Sequence, residues 1–157
     1  MFPKLLILLF VAVATWSVNS QDTCFDLWYP YNGHCYKFID CQKTFAAAEA
    51  DCKLYGALSS LASIHDELEN DWVFVMQGGL NNMWIGLSDQ EVTGVHKWTD
   101  GSNYTYSNWH EGQPDNDCGL TCNGECTQFE VKSDFVDKWS KADCSDQKRY
   151  VCKMTKP

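Results

Sequence analysis

Nine cysteines set the tightest limit on how this chain folds: Cys24, Cys35, Cys41, Cys52, Cys118, Cys122, Cys126, Cys144 and Cys152. They follow an N-terminal segment with the order of a secretory signal. Lys4 supplies a positive charge, Leu5 to Ala14 form an apolar run, and Val18 and Ser20 offer a small-residue exit for cleavage after Ser20. A membrane anchor needs roughly 18 or more apolar residues in a row; this run is shorter, and no second one follows. The sequence therefore predicts a signal peptide at 1–20 and one secreted domain at 21–157, with no membrane insertion.

In an exported chain, cysteines read first as disulfides. The run Cys118-x3-Cys122-x3-Cys126 would in isolation suggest a thiolate metal site. Zinc cysteines usually come as two close pairs, commonly with histidine, and an oxidising compartment favours bridges. Because the count is odd, at least one thiol stays free, is capped, or pairs between chains. The formal charge of −9 leaves no basic patch of the kind phosphate backbones demand, so nucleic acid is not an expected partner.

The pattern along the chain is α+β. Asn32-Gly33 between aromatic flanks signals a tight hairpin turn. Thr44 caps an alanine-rich helix ending before Gly56, with Phe45, Ala48, Cys52 and Tyr55 on one face. Leu61 to Ile64 reads as a short strand. Asp66 caps a second helix, from Glu67 to about Gln77, whose apolar stripe is Leu68, Trp72, Val75 and Met76. Trp84 to Leu87, Lys97-Trp98, Cys126 to Val131, Lys138-Trp139 and Tyr150 to Lys153 read as strands. Between Thr99 and Glu125 the chain is rich in Gly, Asn, Ser, Asp and Tyr and has no period. A loop of that length in a small domain is usually functional or disordered.

Taken in order, Trp84-Ile85-Gly86-Leu87, Asn108-Trp109, Gly112-Gln113-Pro114-Asp115, Trp139-x4-Cys144 and Tyr150-Val151-Cys152 resemble the C-type lectin-like family. The early Cys24-x10-Cys35 spacing resembles that family's long form. The resemblance implies a disulfide-stapled fold of two helices, short and mostly antiparallel strands, and a long ligand loop. It also implies the bridges Cys24–Cys35, Cys52–Cys152 and Cys126–Cys144. Cys118 and Cys122 are extra to the family pattern and close enough to bridge each other. Cys41 is then the odd cysteine, a candidate for a disulfide-linked dimer.

Sugar binding in the family runs through calcium held in the long loop, and calcium takes about six to eight oxygen ligands. By resemblance, Gln113 and Asp115, flanking a cis Pro114, form a half-site of galactose type, whereas a Glu-Pro-Asn order resembles mannose-type relatives. The other half departs from the pattern. The family's Trp-Asn-Asp reads Trp139-Ser140-Lys141, so an amide becomes a hydroxyl and a carboxylate becomes an ammonium. The ligand carboxylate expected two residues before Cys126 falls on Gly124, with Glu125 one position late as a substitute. Two unit charges about 4 Å apart interact by roughly 4 kcal/mol at an effective dielectric of 20, and a dication doubles this, so Lys141 opposes calcium. Two remedies follow: Asp117, Glu125 or Asp134 joins the shell, or Lys141 takes the ion's place and pairs with Asp115. An accessory ion position uses Asp89, whose expected glutamate partner aligns with Thr93, with Glu91 nearby.

The remaining loop residues have more ordinary readings. By the same resemblance Trp109 is a core residue of the loop base; His110 reads as a solvated loop histidine, with ligand contact as the alternative. Tyr104 and Tyr106 could each offer a face to a sugar. Asn103-Tyr104-Thr105 is a glycosylation sequon. No nucleophile elbow, His-Glu-x-x-His helix or phosphate-cradling glycine loop is present, and His65-Asp66 reads as a helix start, so no enzymatic activity is expected. The lead expectation is a secreted galactose-type lectin, calcium-dependent if its metal site survives. The alternative is a calcium-independent lectin-like domain that binds protein or another non-sugar surface.

Overall fold

A computed structural model describes residues 24–79, 81–115, 125–132 and 135–156. The signal segment, Asp117, Cys118, Cys122 and Asp134 lie outside the described residues, so the expectations placed on them are not addressed by it.

The elements, in order, are β1 (Tyr29–Tyr31), β2 (His34–Lys43), α1 (Phe45–Lys53), β3 (Ser59–Leu61), α2 (Glu67–Met76), β4 (Met83–Ser88), β5 (Lys97–Trp98), β6 (Glu125–Lys132), β7 (Phe135–Asp143) and β8 (Lys148–Thr155). Asn32 and Gly33 both adopt positive φ (42° and 76°), the backbone that a two-residue hairpin with right-twisted strands requires. The Thr44 hydroxyl accepts from the Ala47 N–H to open α1, and the Asp66 carboxylate accepts from Glu69 to open α2. The sheet runs β1-β2-β8-β4-β6-β7, with β3 on β8 and β5 on β4. β4 and β8 are parallel; the other pairs are antiparallel.

Both faces of the central sheet are covered, which is why its strands read as near-continuous apolar runs. Successive side chains alternate between faces. Along β8, Tyr150 and Cys152 join the core under α1, while Val151 between them joins the core under α2. On β4, Trp84 faces the first core and Met83 and Ile85 the second. At Gly86 a Cβ would lie 2.7 Å from the Leu61 carbonyl oxygen, so only glycine lets these backbones approach.

Three bridges close as the resemblance implies: Cys24–Cys35, Cys52–Cys152 and Cys126–Cys144. Cys41 is free and exposed.

The structure corrects several local readings. The buried face of α2 is not Leu68 and Val75, which are 72 % and 70 % exposed; it is Glu69, Asn70, Val73 and Phe74, with Trp72 and Met76 only partly covered. The helix is rotated because its inner face makes specific polar bonds. Glu69 Oε1 accepts from the Lys153 ammonium at 2.6 Å and from the Tyr36 hydroxyl, and Glu69 Oε2 accepts from the His65 N–H at 2.7 Å. Asn70 Oδ1 accepts from the Trp139 indole at 2.8 Å. Burial, followed by the neighbouring Glu69 carboxylate, pushes the Tyr36 phenol far above its ordinary pKa. Tyr55 lies beyond the end of α1 and is 38 % exposed. The strand expected at Leu61 to Ile64 is instead β3, two residues earlier.

Candidate functional site

The long loop is anchored along β7. Trp139 N–H donates to the Asn108 carbonyl (2.9 Å), and His110 N–H donates to the Trp139 carbonyl (3.1 Å), forming an isolated bridge between Trp109 and Trp139. Asn108 extends the attachment: its Nδ2 donates to the Asp137 carbonyl at 2.9 Å, and its Oδ1 accepts from Lys138 at 2.7 Å. Gln113 N–H then donates to the His110 carbonyl at 3.0 Å. The Gln113–Pro114 peptide is cis. Gln113 Oε1 accepts from the Lys141 backbone N–H at 2.8 Å, while Asp115 is exposed.

Strand register explains what gathers beneath this loop. Thr127 of β6 pairs with Lys141 of β7, and Gln128 pairs with Ser140. Paired residues share a face and neighbours along a strand alternate. Glu125, Thr127 and Lys141 therefore face one side, with Gln128 and Ser140 on the other. Asp89, just past β4, is drawn to the first side by its N–H bond to the Glu125 carbonyl at 3.3 Å. The Lys141 ammonium donates to Asp89 Oδ2 at 2.9 Å and to Glu125 Oε2. The lysine and aspartate side chains are each 2 % exposed, and the glutamate's is 8 %.

The charges in this cluster sustain one another. Burial works against the Lys141 ammonium, but its bonds to Glu125 and Asp89 outweigh that and hold its pKa above the ordinary lysine value. Burial alone would raise Asp89; the Gly94 N–H at 2.8 Å and Lys141 bring it below the usual carboxylate range. His96 stands within reach of the same charges, and burial lowers its pKa. Its ring packs against Trp109 and Tyr104, with centroids 5.3 and 5.7 Å away.

Most expected site residues are brought close together, but in different roles. Lys141 pairs with Asp89 and Glu125 rather than with Asp115, because β7 directs its side chain beneath the loop. Glu91 does not join Asp89; it is exposed and pairs with Lys97 at 2.6 Å. His110 is not solvated: its Nε2 lies 3.0 Å from Glu130 Oε2, with side-chain exposures of 14 % and 8 %. Tyr104 and Tyr106 are not free sugar platforms. The Tyr104 hydroxyl accepts from the Trp109 indole at 2.8 Å, and Tyr106 packs edge-on against Trp139. Asn103 is exposed, as a glycosylation acceptor must be.

These residues do not fit the calcium shell that the family pattern implies. Ser140, in the place of the family's asparagine, is buried and accepts from Gln128 Nε2 at 3.0 Å. Gln113 Oε1 is engaged by a backbone amide, and the Asp89–Glu125 pair already holds an ammonium. Among the described residues, no three His, Cys, Asp or Glu side chains converge as a metal set.

A twice-covered sheet with a long loop seated on β7 is the architecture of a lectin-like domain. The family model described as the Lectin C-type domain matches residues 41–154, and the chain belongs to the C-type lectin family. It is 37 % identical over 136 residues to an alpha-N-acetylgalactosamine-specific lectin of Patiria pectinifera, covering 82 % of this chain and 79 % of that protein. It is 32 % identical over 135 residues to a C-type lectin of Micrurus corallinus, covering 83 % of each. In structure it is similar to the C-type lectin CEL-I from Cucumaria echinata, with a TM-score of 0.75, 33 % identity, and 85 % of this chain and 99 % of the other covered.

Proposed function

We propose that this protein is a secreted carbohydrate-binding lectin with a preference for galactose-type sugars, N-acetylgalactosamine among them. The observation that carries this reading is Gln113-Pro114-Asp115, held on β7 with Asp115 open to solvent, in a chain 37 % identical to an N-acetylgalactosamine-specific lectin. The test is retention of the oxidised protein on immobilised galactose and N-acetylgalactosamine, first with calcium and then with chelator. The expected result is retention that chelator does not reverse, since the described residues do not fit calcium. Exchanging the pair, Gln113→Glu with Asp115→Asn, should cut galactose affinity at least about tenfold, or roughly 1.4 kcal/mol.

A second reading has its own support: Ser140 and Lys141, the two departures from the family pattern, are both committed inside the fold. On that reading the loop meets a protein or another non-sugar surface. Absence of retention by demonstrably folded protein selects it. Exposed Cys41 would link two copies by a disulfide, and two weak sites on one linked pair would act through effective concentration. Non-reducing electrophoresis should show a dimer that Cys41→Ser abolishes; a monomer with alkylatable Cys41 would remove this idea.

A further inference from the structure

Asp89 and Glu125 are two buried carboxylates at the base of the ligand loop, and buried charges of one sign persist only beside a cation. Three separate segments fix their position: the end of β4, the start of β6, and β7. Lys141, itself on β7, joins the other two. Its ammonium binds both carboxylates, and its backbone N–H binds Gln113, two residues before the exposed Asp115.

We propose that Lys141 is an internal counter-cation, standing where the family resemblance expects an accessory calcium and holding the base of the loop without metal. It acts as a positioning residue, because it reaches the ligand side only through Gln113. This holds whichever ligand the loop takes, sugar or not. Two carboxylates and one ammonium leave one negative charge, and Glu125 Oε1 has no hydrogen-bond partner among the described residues. A calcium ion would neutralise both carboxylates, but only by expelling an ammonium that already fills the site.

The test uses calcium alone as probe, so a failed sugar assay does not affect it. Thermal melting of the oxidised wild-type protein should shift by less than about 1 °C between chelator and millimolar calcium, as expected when no ligand binds the folded state. Lys141→Asp should melt lower in chelator and gain a saturable calcium-dependent rise of at least about 5 °C. In acetylation footprinting, Lys141 should stay unmodified with and without calcium, while Lys53, with 60 % of its side chain exposed, reacts. A calcium-dependent rise in the wild type that Asp89→Asn abolishes would overturn the proposal. So would a Lys141 that acetylates as readily as Lys53. Both of those readouts come from folded wild-type protein or from Asp89→Asn, and they decide the matter even if Lys141→Asp does not fold.

Discussion

Replacing Cys52 and Cys152 together by alanine should lower stability by about 4–5 kcal/mol and the melting temperature by roughly 15 °C. The bridge spans a separation of 100 residues, and the entropy that a crosslink removes from the unfolded chain grows with the length of the loop it closes. The same treatment gives about 3 kcal/mol for Cys126–Cys144 and slightly less for Cys24–Cys35, whose separations are 18 and 11. Both partners of the long bridge are fully buried, between α1 and β8, so losing their packing adds to the loss. Denaturant melts of the three double variants should rank in that order. Equal losses for the longest and shortest bridges would show that loop length does not govern the effect, and that the unfolded chain keeps α1 near β8 without the crosslink.

Glu69→Ala should cost about 3–5 kcal/mol. The carboxylate serves the Lys153 ammonium, the Tyr36 hydroxyl and the His65 N–H, and its removal leaves a buried cation that, among the described residues, keeps hydrogen bonds to Ser63 (3.0 and 3.2 Å) and faces the Tyr36 ring 5.5 Å away, with no carboxylate bound to it. The penalty arises from the stranded charge more than from the lost pair. Adding Lys153→Met to Glu69→Ala should therefore recover part of the loss, because it removes the stranded charge while keeping a side chain of similar length at position 153. Equilibrium unfolding of both variants tests this, and a single variant within about 1 kcal/mol of wild type would refute the charge-based account.

The sequence was most informative wherever a local rule fixes local geometry. The caps at Thr44 and Asp66, the turn at Asn32-Gly33 and the buried run Trp84 to Leu87 all took their expected forms. The disulfide pairing followed from family resemblance, not from spacing. The inner face of α2 was misjudged because hydropathy favours Leu68 and Val75, whereas Glu69 and Asn70 are buried by partners 84 and 69 residues away, Lys153 and Trp139. The site failed in the same way. That Lys141 opposes calcium was visible in its charge alone. Its meeting with Asp89 and Glu125 depends on β4, β6 and β7 being in register, which no local spacing records. His110 was misread for the same reason, since Glu130 reaches it from β6. His96 gave no signal at all; a lone histidine between two short segments acquires its setting only when the loop folds over it.

The order of strands also has a consequence in time. β8, the last element of the domain, lies between β2 and β4 and also pairs with β3. During synthesis, β2 has no partner on its inner side until residues 148–155 emerge, and α1 keeps Cys52 as an unpaired thiol throughout. The domain therefore keeps an open sheet edge at β2 and an unpaired thiol at Cys52 until its last strand is made, and then closes in a single late step. A chain stopped just before Lys148 should be held by chaperones and form mixed disulfides, whereas the addition of one further strand converts it to a folded, oxidised domain.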